Sequence, residues 1–394
     1  MHPNPVIASR VQRIPESATM KIADTAAKLR SEGRDIISFS LGEPDFETPE
    51  NIRKAAKTAL DRGETHYTQG SGILELREAI AEKLKNENNL DVRPDDVLVT
   101  PGAKQAIFEA ICTLIERGDE VLLLDPAWVS YEAIVKFAGG KPVMVPVSEQ
   151  DGYVPPVDLQ SYITRDTKLL ILNTPCNPTG AVYGKNAIKT VAEMAEDYGI
   201  FVLSDEVYEK IIYGAKHHSI GSLIPGRTIT INGFSKAYAM TGWRLGYATA
   251  AAPILQGMLK IQQHSVSNAT SFVQRAGVEA LRGDQGAVRA MVTEFEKRRN
   301  LMIDGLYKMG IQCARPRGAF YAFAKVSQFG SSVEVAEKLL QEALVAVTPG
   351  SAFGPNGEGY VRLSYATSRQ NIESGIRRIE EASLENRLST SPDA

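Results

Sequence analysis

The chain has 394 residues, with 44 Lys and Arg against 47 Asp and Glu and a formal charge of −3. Its hydrophobic fraction of 43% and charged fraction of 23% suit a globular protein of two or three domains and argue against a disordered, collagenous or coiled-coil chain. The near-neutral balance argues against a broad basic surface for nucleic acid.

The first thirty residues hold no apolar stretch of signal-peptide type, and the longest apolar runs, 121–124 and 169–172, are too short to span a bilayer. No secretion and no membrane partner are therefore expected. Cys112, Cys176 and Cys313 form no CxxC pair, which fits a reducing, cytoplasmic setting. No repeat or low-complexity tract occurs, and the last ten residues, 385–394, read as a frayed tail.

In chain order, 15–33 reads as an amphipathic helix. Apolar strands at 97–100, 120–124, 142–147, 168–172, 200–203 and 228–231 follow. Helical patterns at 104–117, 129–137 and 188–198 stand between some of them. Strands spaced by helices of ten or more residues imply βαβ units and a mostly parallel sheet. From about 285 the chain becomes helix-rich, and 319–324, 344–348 and 360–364 read as strands of a separate, smaller sheet. The expected architecture is α/β: a large sheet domain over 50–285, and a smaller α+β domain assembled from 1–49 and 286–394.

Open α/β sheets bind ligands beyond the carboxyl ends of their strands. After 97–100 comes Pro101-Gly102-Ala103-Lys104, a glycine turn opening a helix, whose free N–H groups suit an anion. After 168–172 comes Asn173-Thr174-Pro175-Cys176-Asn177-Pro178-Thr179-Gly180. After 200–203 comes Ser204-Asp205-Glu206-Val207-Tyr208, and after 228–231 come Ser235 and Lys236, then Gly242-Trp243-Arg244. A phosphate seat, an amide, a carboxylate and a lysine near a second cation thus meet at one sheet edge. Pyridoxal phosphate needs a phosphate seat, an acidic partner for its ring nitrogen and an amine of depressed pKa.

The run Ser235-Lys236-Ala237-Tyr238-Ala239-Met240-Thr241-Gly242-Trp243-Arg244-Leu245-Gly246-Tyr247 resembles the lysine motif of class I/II, fold-type I, pyridoxal-phosphate aminotransferases. Leu41-Gly42-Glu43-Pro44-Asp45-Phe46, Tyr67-Thr68-Gln69-Gly70-Ser71-Gly72, the loops after Asn173 and Ser204, and Tyr360-Val361-Arg362-Leu363-Ser364-Tyr365-Ala366 match in the same order. The likeness spans about residues 10–380 and is nearest the prokaryotic aspartate aminotransferases. It implies that Lys236 anchors the cofactor and then carries the proton, with Asp205 on the pyridine nitrogen. Asn177 and Tyr208 would bond the ring oxygen, and Trp128 would stack on the ring. Gly102, Ala103, Lys104, Ser235 and Arg244 would hold the phosphate. Arg362 would clamp the substrate α-carboxylate beside Gly42, with Trp128 and Asn177 also near the substrate. Tyr67 would reach the neighbouring subunit's site, so the likeness implies a homodimer.

Two departures stand out. Gly233 occupies a place that is often serine in the family. No arginine near 265–271 corresponds to the distal-carboxylate reader of animal-type enzymes, and in the resembled subgroup Lys104 takes that part. Plainer readings stay open: Asp205 as a helix cap, Trp128 as core, Tyr67 packed in its own subunit, Lys104 as a solvated helix end. Cys176 reads as a buried filler, and His217 and His218 as surface residues in a loop, with no metal site. The expected activity is transfer of an amino group from an L-amino acid, best aspartate, to 2-oxoglutarate. Alternatives are prephenate, aromatic or neutral substrates, a lyase of the same cofactor class, or a non-catalytic regulator.

Overall fold

The computed structural model describes residues 7–14 and 18–384; the expected tail at 385–394 lies outside them. Its strands are β1 (Ile37–Ser38), β2 (Val97–Thr100), β3 (Glu120–Asp125), β4 (Lys141–Pro146), β5 (Thr167–Asn173), β6 (Phe201–Asp205), β7 (Thr228–Gly233), β8 (Gly246–Thr249), β9 (Tyr321–Lys325), β10 (Val345–Ala346), β11 (Thr348–Pro349) and β12 (Tyr360–Ser364). Seven of them form one sheet in the order β2-β8-β7-β6-β5-β3-β4. Strands β3 to β7 pair in parallel, and β8 runs antiparallel to both β2 and β7. All six strands read from this part of the sequence are present, and β8 is an addition.

The apolar runs are continuous because both sheet faces are covered. Successive side chains alternate between faces. Leu122, Leu124, Leu170, Leu172 and Val202 pack with the helix Lys185–Asp197. Val121, Leu123, Leu169, Ile171, Leu203, Ile229 and Ile231 pack on the other side. There they meet the helices Ala103–Leu114, Val129–Ala138 and Ala252–Ser265. Each such buried Leu or Ile contributes about 1.5–3 kcal/mol, so this two-faced burial fixes the strand ends that carry the site.

The remaining strands form two small sheets. β9, β11 and β12 make an antiparallel three-stranded sheet, and β1 pairs in parallel with β10. The segment expected as one strand at 344–348 is therefore divided: Val345–Ala346 faces β1, whereas Thr348–Pro349 faces β12. The helices Gly286–Lys308, Ser332–Gln341 and Arg369–Leu384 cover these sheets through Phe295, Met302, Leu339 and Ile372. The same cluster takes in Val207, Tyr208 and Ile211 from just beyond β6. Early and late segments of the chain thus close over the carboxyl edge of the large sheet.

Candidate active site

A cavity of about 550 Å³ opens at that edge, a size suited to a cofactor and a small substrate. Asn173 and Asp205 reach it as the last residues of β5 and β6, and Ser235 and Lys236 follow β7. Ala103 and Lys104 enter from the helix after β2, Trp128 and Tyr131 from the segment after β3. Ser40, Gly42, Glu43, Tyr321 and Arg362 close the other side.

Lys236 Nζ donates to the Gly42 carbonyl at 2.6 Å. Burial brings its amine down to about 8, helped by the charges of Arg362 and Arg244 and opposed by Glu43 and Asp205. The sequence pointed to Arg244 as the main cause; burial is larger, because an ammonium loses its hydration there. Glu43, given no role from the sequence, is a second carboxylate in the site. Its carboxylate lines the cavity and accepts from Thr241 Oγ1 at 3.0 Å.

Asp205 is 4% exposed. Tyr131 Oη donates to its Oδ2 at 2.6 Å and the Val207 N–H to its Oδ1 at 3.2 Å. A turn, not a helix, follows it, so the capping reading falls away. Burial pushes the carboxyl up to about 6, and no cation touches it among the described residues. A protonated ring nitrogen is the kind of partner this carboxyl lacks.

The helix Ala103–Leu114 begins at Gly102, whose φ is +91°. Gly102's own N–H donates to Thr100 O at 2.7 Å, so the donors this turn offers are those of Ala103 and Lys104, which have no intrahelical acceptor. A Cβ on Gly102 would stand 2.7 Å from Arg244 Nη2, which places the guanidinium against the turn. Gly246 must be glycine for the same reason, because its Cβ would lie 2.4 Å from Ala103 N. Position 233 is also tight: a Cβ there would meet Leu245 O at 3.2 Å. Lys104 Nζ lies 4.7 Å over the Trp128 ring, its amine lowered by desolvation and by Arg244. Among the described residues no carboxylate pairs with Lys104 or Arg244. The uncompensated Arg244 guanidinium and the two helix donors fit a phosphate, which leaves the Lys104 ammonium open to a further anion.

Arg362, 4% exposed, donates from Nη2 to Ser40 O at 2.7 Å and from Nη1 to Asn177 Oδ1 at 3.0 Å. Its Nε is buried without a partner. An orphaned guanidinium donor in a cavity costs free energy that an arriving carboxylate restores. Asn177 is fixed in turn by its N–H donating to Asn173 Oδ1 at 2.9 Å.

The family model for "Aminotransferase class I and II" matches residues 34–379. The chain belongs to the class I and II aminotransferases. It is 45% identical over 382 residues to an aspartate aminotransferase of Pyrococcus horikoshii, covering 95% of this chain and 97% of that one. It is 44% identical over 390 residues to an aromatic-amino-acid aminotransferase of Thermococcus litoralis, covering 97% and 99%. A solved structure of the Thermus thermophilus aspartate aminotransferase with maleate superimposes with a TM-score of 0.93 at 41% identity, covering 96% and 100%. The protein is therefore a pyridoxal-phosphate-dependent aminotransferase of α/β fold, and the lyase and regulator readings give way.

Of the residues named from sequence, Tyr67 and Gly102 line no part of this cavity: Tyr67 is 87% exposed, and Gly102 turns the chain into the helix behind Ala103 with its N–H already given to Thr100 O. Tyr131 and Tyr321 were missed. Tyr131 follows Trp128 by three positions and reads as an ordinary core tyrosine, while Tyr321 lies in an apolar strand. His217 corrects another expectation. Its side chain is only 9% exposed, with Nε2 3.0 Å from Glu206 Oε2 and 3.9 Å from Glu209 Oε2. Glu206, Glu209 and His217 bring potential ligand atoms within 4.8 Å of one another, but Lys83 already supplies a cation there by pairing with Glu209. Burial raises the Cys176 thiol, as a filler requires. No described helix is long and apolar enough to cross a membrane.

Proposed function

We propose that this aminotransferase moves the amino group of L-aspartate to 2-oxoglutarate in a ping-pong cycle between the pyridoxal and pyridoxamine forms of the cofactor. The observation that carries the substrate reading is a pair of cations in one cavity without carboxylate partners among the described residues, Arg362 with its bare Nε and Lys104. A dicarboxylate offers an oxygen pair to each. When bound, pyridoxal phosphate supplies an electron sink for the electrons left as the substrate Cα–H bond breaks.

The chain's own residues do the rest. Lys236 Nζ, lowered to about 8, would anchor the cofactor and, once released, would be the base that takes the proton from the substrate Cα. Asp205 would hold a protonated ring nitrogen, and Tyr131 fixes the carboxylate that would do so. Asn177 and Tyr208 address the ring oxygen, and Trp128 the ring face. Ala103, Lys104, Ser235 and Arg244 hold the phosphate. Arg362 orients the α-carboxylate beside Gly42.

Domains at 50–285 and at 1–49 with 286–394 form part of this reading, supported by the separate sheets and the β1–β10 pairing. So does a homodimer in which Tyr67, exposed here, reaches the neighbouring site. The three free cysteines suit a reducing, cytoplasmic setting.

A second reading, transfer from aromatic substrates or prephenate, rests on the apolar lining by Leu41, Ile107, Trp128 and Tyr131. Half-reaction rates with a panel of amino acids separate the two. Aspartate should convert the cofactor fastest; a wide advantage for phenylalanine or tyrosine would overturn the dicarboxylate assignment.

A further inference from the structure

We propose that Tyr321 is a positioning residue for the active-site hydroxyl of Tyr208: its O–H donates to the Tyr208 oxygen and commits Tyr208's single hydrogen to the cavity. This rests on the reading above that Tyr208 addresses the cofactor's ring oxygen.

The two hydroxyl oxygens lie 2.8 Å apart, and either can donate. Each phenol has one hydrogen. If Tyr208 donated to Tyr321, it would show only lone pairs to the cavity, and an anionic ring oxygen would meet no donor. With such an oxygen present, Tyr208 must turn its hydrogen inward, and the 2.8 Å contact survives only if Tyr321 becomes the donor. Donating to Tyr208 also polarises its O–H and strengthens what it gives.

The surroundings hold the two hydroxyls together. Tyr208 is 4% and Tyr321 1% exposed. The Tyr321 hydroxyl is wedged at Gly42, where a Cβ would stand 2.7 Å from it. The two rings meet edge-on at 5.8 Å, and Phe320 packs against both at 5.5 and 4.9 Å. Facing Tyr208 are Asp205, Tyr131 and Arg362, with Lys236 Nζ 5.9 Å from its ring. Arg362 lies 4.5 Å over the Tyr321 ring, so Tyr321→Phe keeps that contact and removes the hydroxyl alone.

The test is a pH titration of the bound cofactor's visible absorbance, whose midpoint falls as the site better holds negative charge on the ring oxygen. Wild type, Tyr208→Phe, Tyr321→Phe and the double variant are compared, with thermal unfolding to check the fold. Tyr321→Phe should raise the midpoint by about 0.3–1 pH unit, the worth of one neutral hydrogen bond. The double variant should match Tyr208→Phe alone, because Tyr321 acts only through Tyr208. An unmoved midpoint in Tyr321→Phe, or shifts that simply add, overturns the inference while leaving the Tyr208 reading intact. An unmoved midpoint in Tyr208→Phe overturns both.

Discussion

Replacing Asp205 by Asn should strengthen the fold of the cofactor-free protein while disabling the enzyme. The buried carboxyl titrates at about 6 instead of its ordinary 3.8. A raised folded-state pKa means that ionisation weakens the fold. The penalty is absent below 3.8, grows between 3.8 and 6, and is complete above 6. At 1.36 kcal/mol per pH unit, the gap amounts to under about 1 kcal/mol at pH 4 and about 3 kcal/mol at pH 8. Asparagine keeps the local contacts, since its oxygen accepts from the Val207 N–H and its amide donates to a Tyr131 hydroxyl turned round as acceptor. Denaturant unfolding of both cofactor-free proteins at one protein concentration, at pH 4 and pH 8, measures the difference. Asp205→Asn should be the more stable at pH 8, and its advantage should grow by about 2 kcal/mol between the two pH values. Turnover of the loaded variant should fall by about 10²–10³-fold, as for other lost electrostatic partners. A variant no more stable at pH 8 than at pH 4, relative to wild type, would refute the reasoning.

Lys104→Ala should cut kcat/KM for aspartate by about 5–30-fold and leave phenylalanine within about threefold, since the phosphate takes the backbone N–H of Lys104, which alanine keeps, and a distal carboxylate takes its ammonium. Equal losses for both substrates would place Lys104 in phosphate binding only. Gly246→Ala drives a methyl group against backbone at Ala103, 2.4 Å away. It should lower stability by about 1–3 kcal/mol and weaken pyridoxal phosphate binding by displacing the first helical turn. A variant with unchanged melting temperature and cofactor affinity would show that the turn does not need that close approach.

The strands of the large sheet were legible because both faces are buried, and a doubly covered strand is a continuous apolar run. Strand β8 was not: Gly246–Thr249 has four residues and opens with a glycine. Its reason for being there is pairing with β2 and β7, in register at Val97↔Thr249 and Asn232↔Tyr247, not a local pattern. The division at 344–348 was equally hidden, because two different sheets claim two halves of one apolar run. In the site, residues at strand ends in motif context were readable, whereas Tyr321 and Tyr131 earn their places only through partners distant in sequence. Tyr321 meets Tyr208, and Tyr131 meets Asp205. His217 misled for the same reason: in a polar stretch it looks solvated, yet Glu206, Glu209 and Lys83 gather around it from two separate segments.

Lys236 as the cofactor's anchor is tested most directly by borohydride reduction of the loaded protein followed by peptide mass spectrometry. The phosphopyridoxyl mass should appear on the peptide carrying Lys236 and vanish in Lys236→Ala. A label on Lys104 or any other lysine, or none at all, would contradict it.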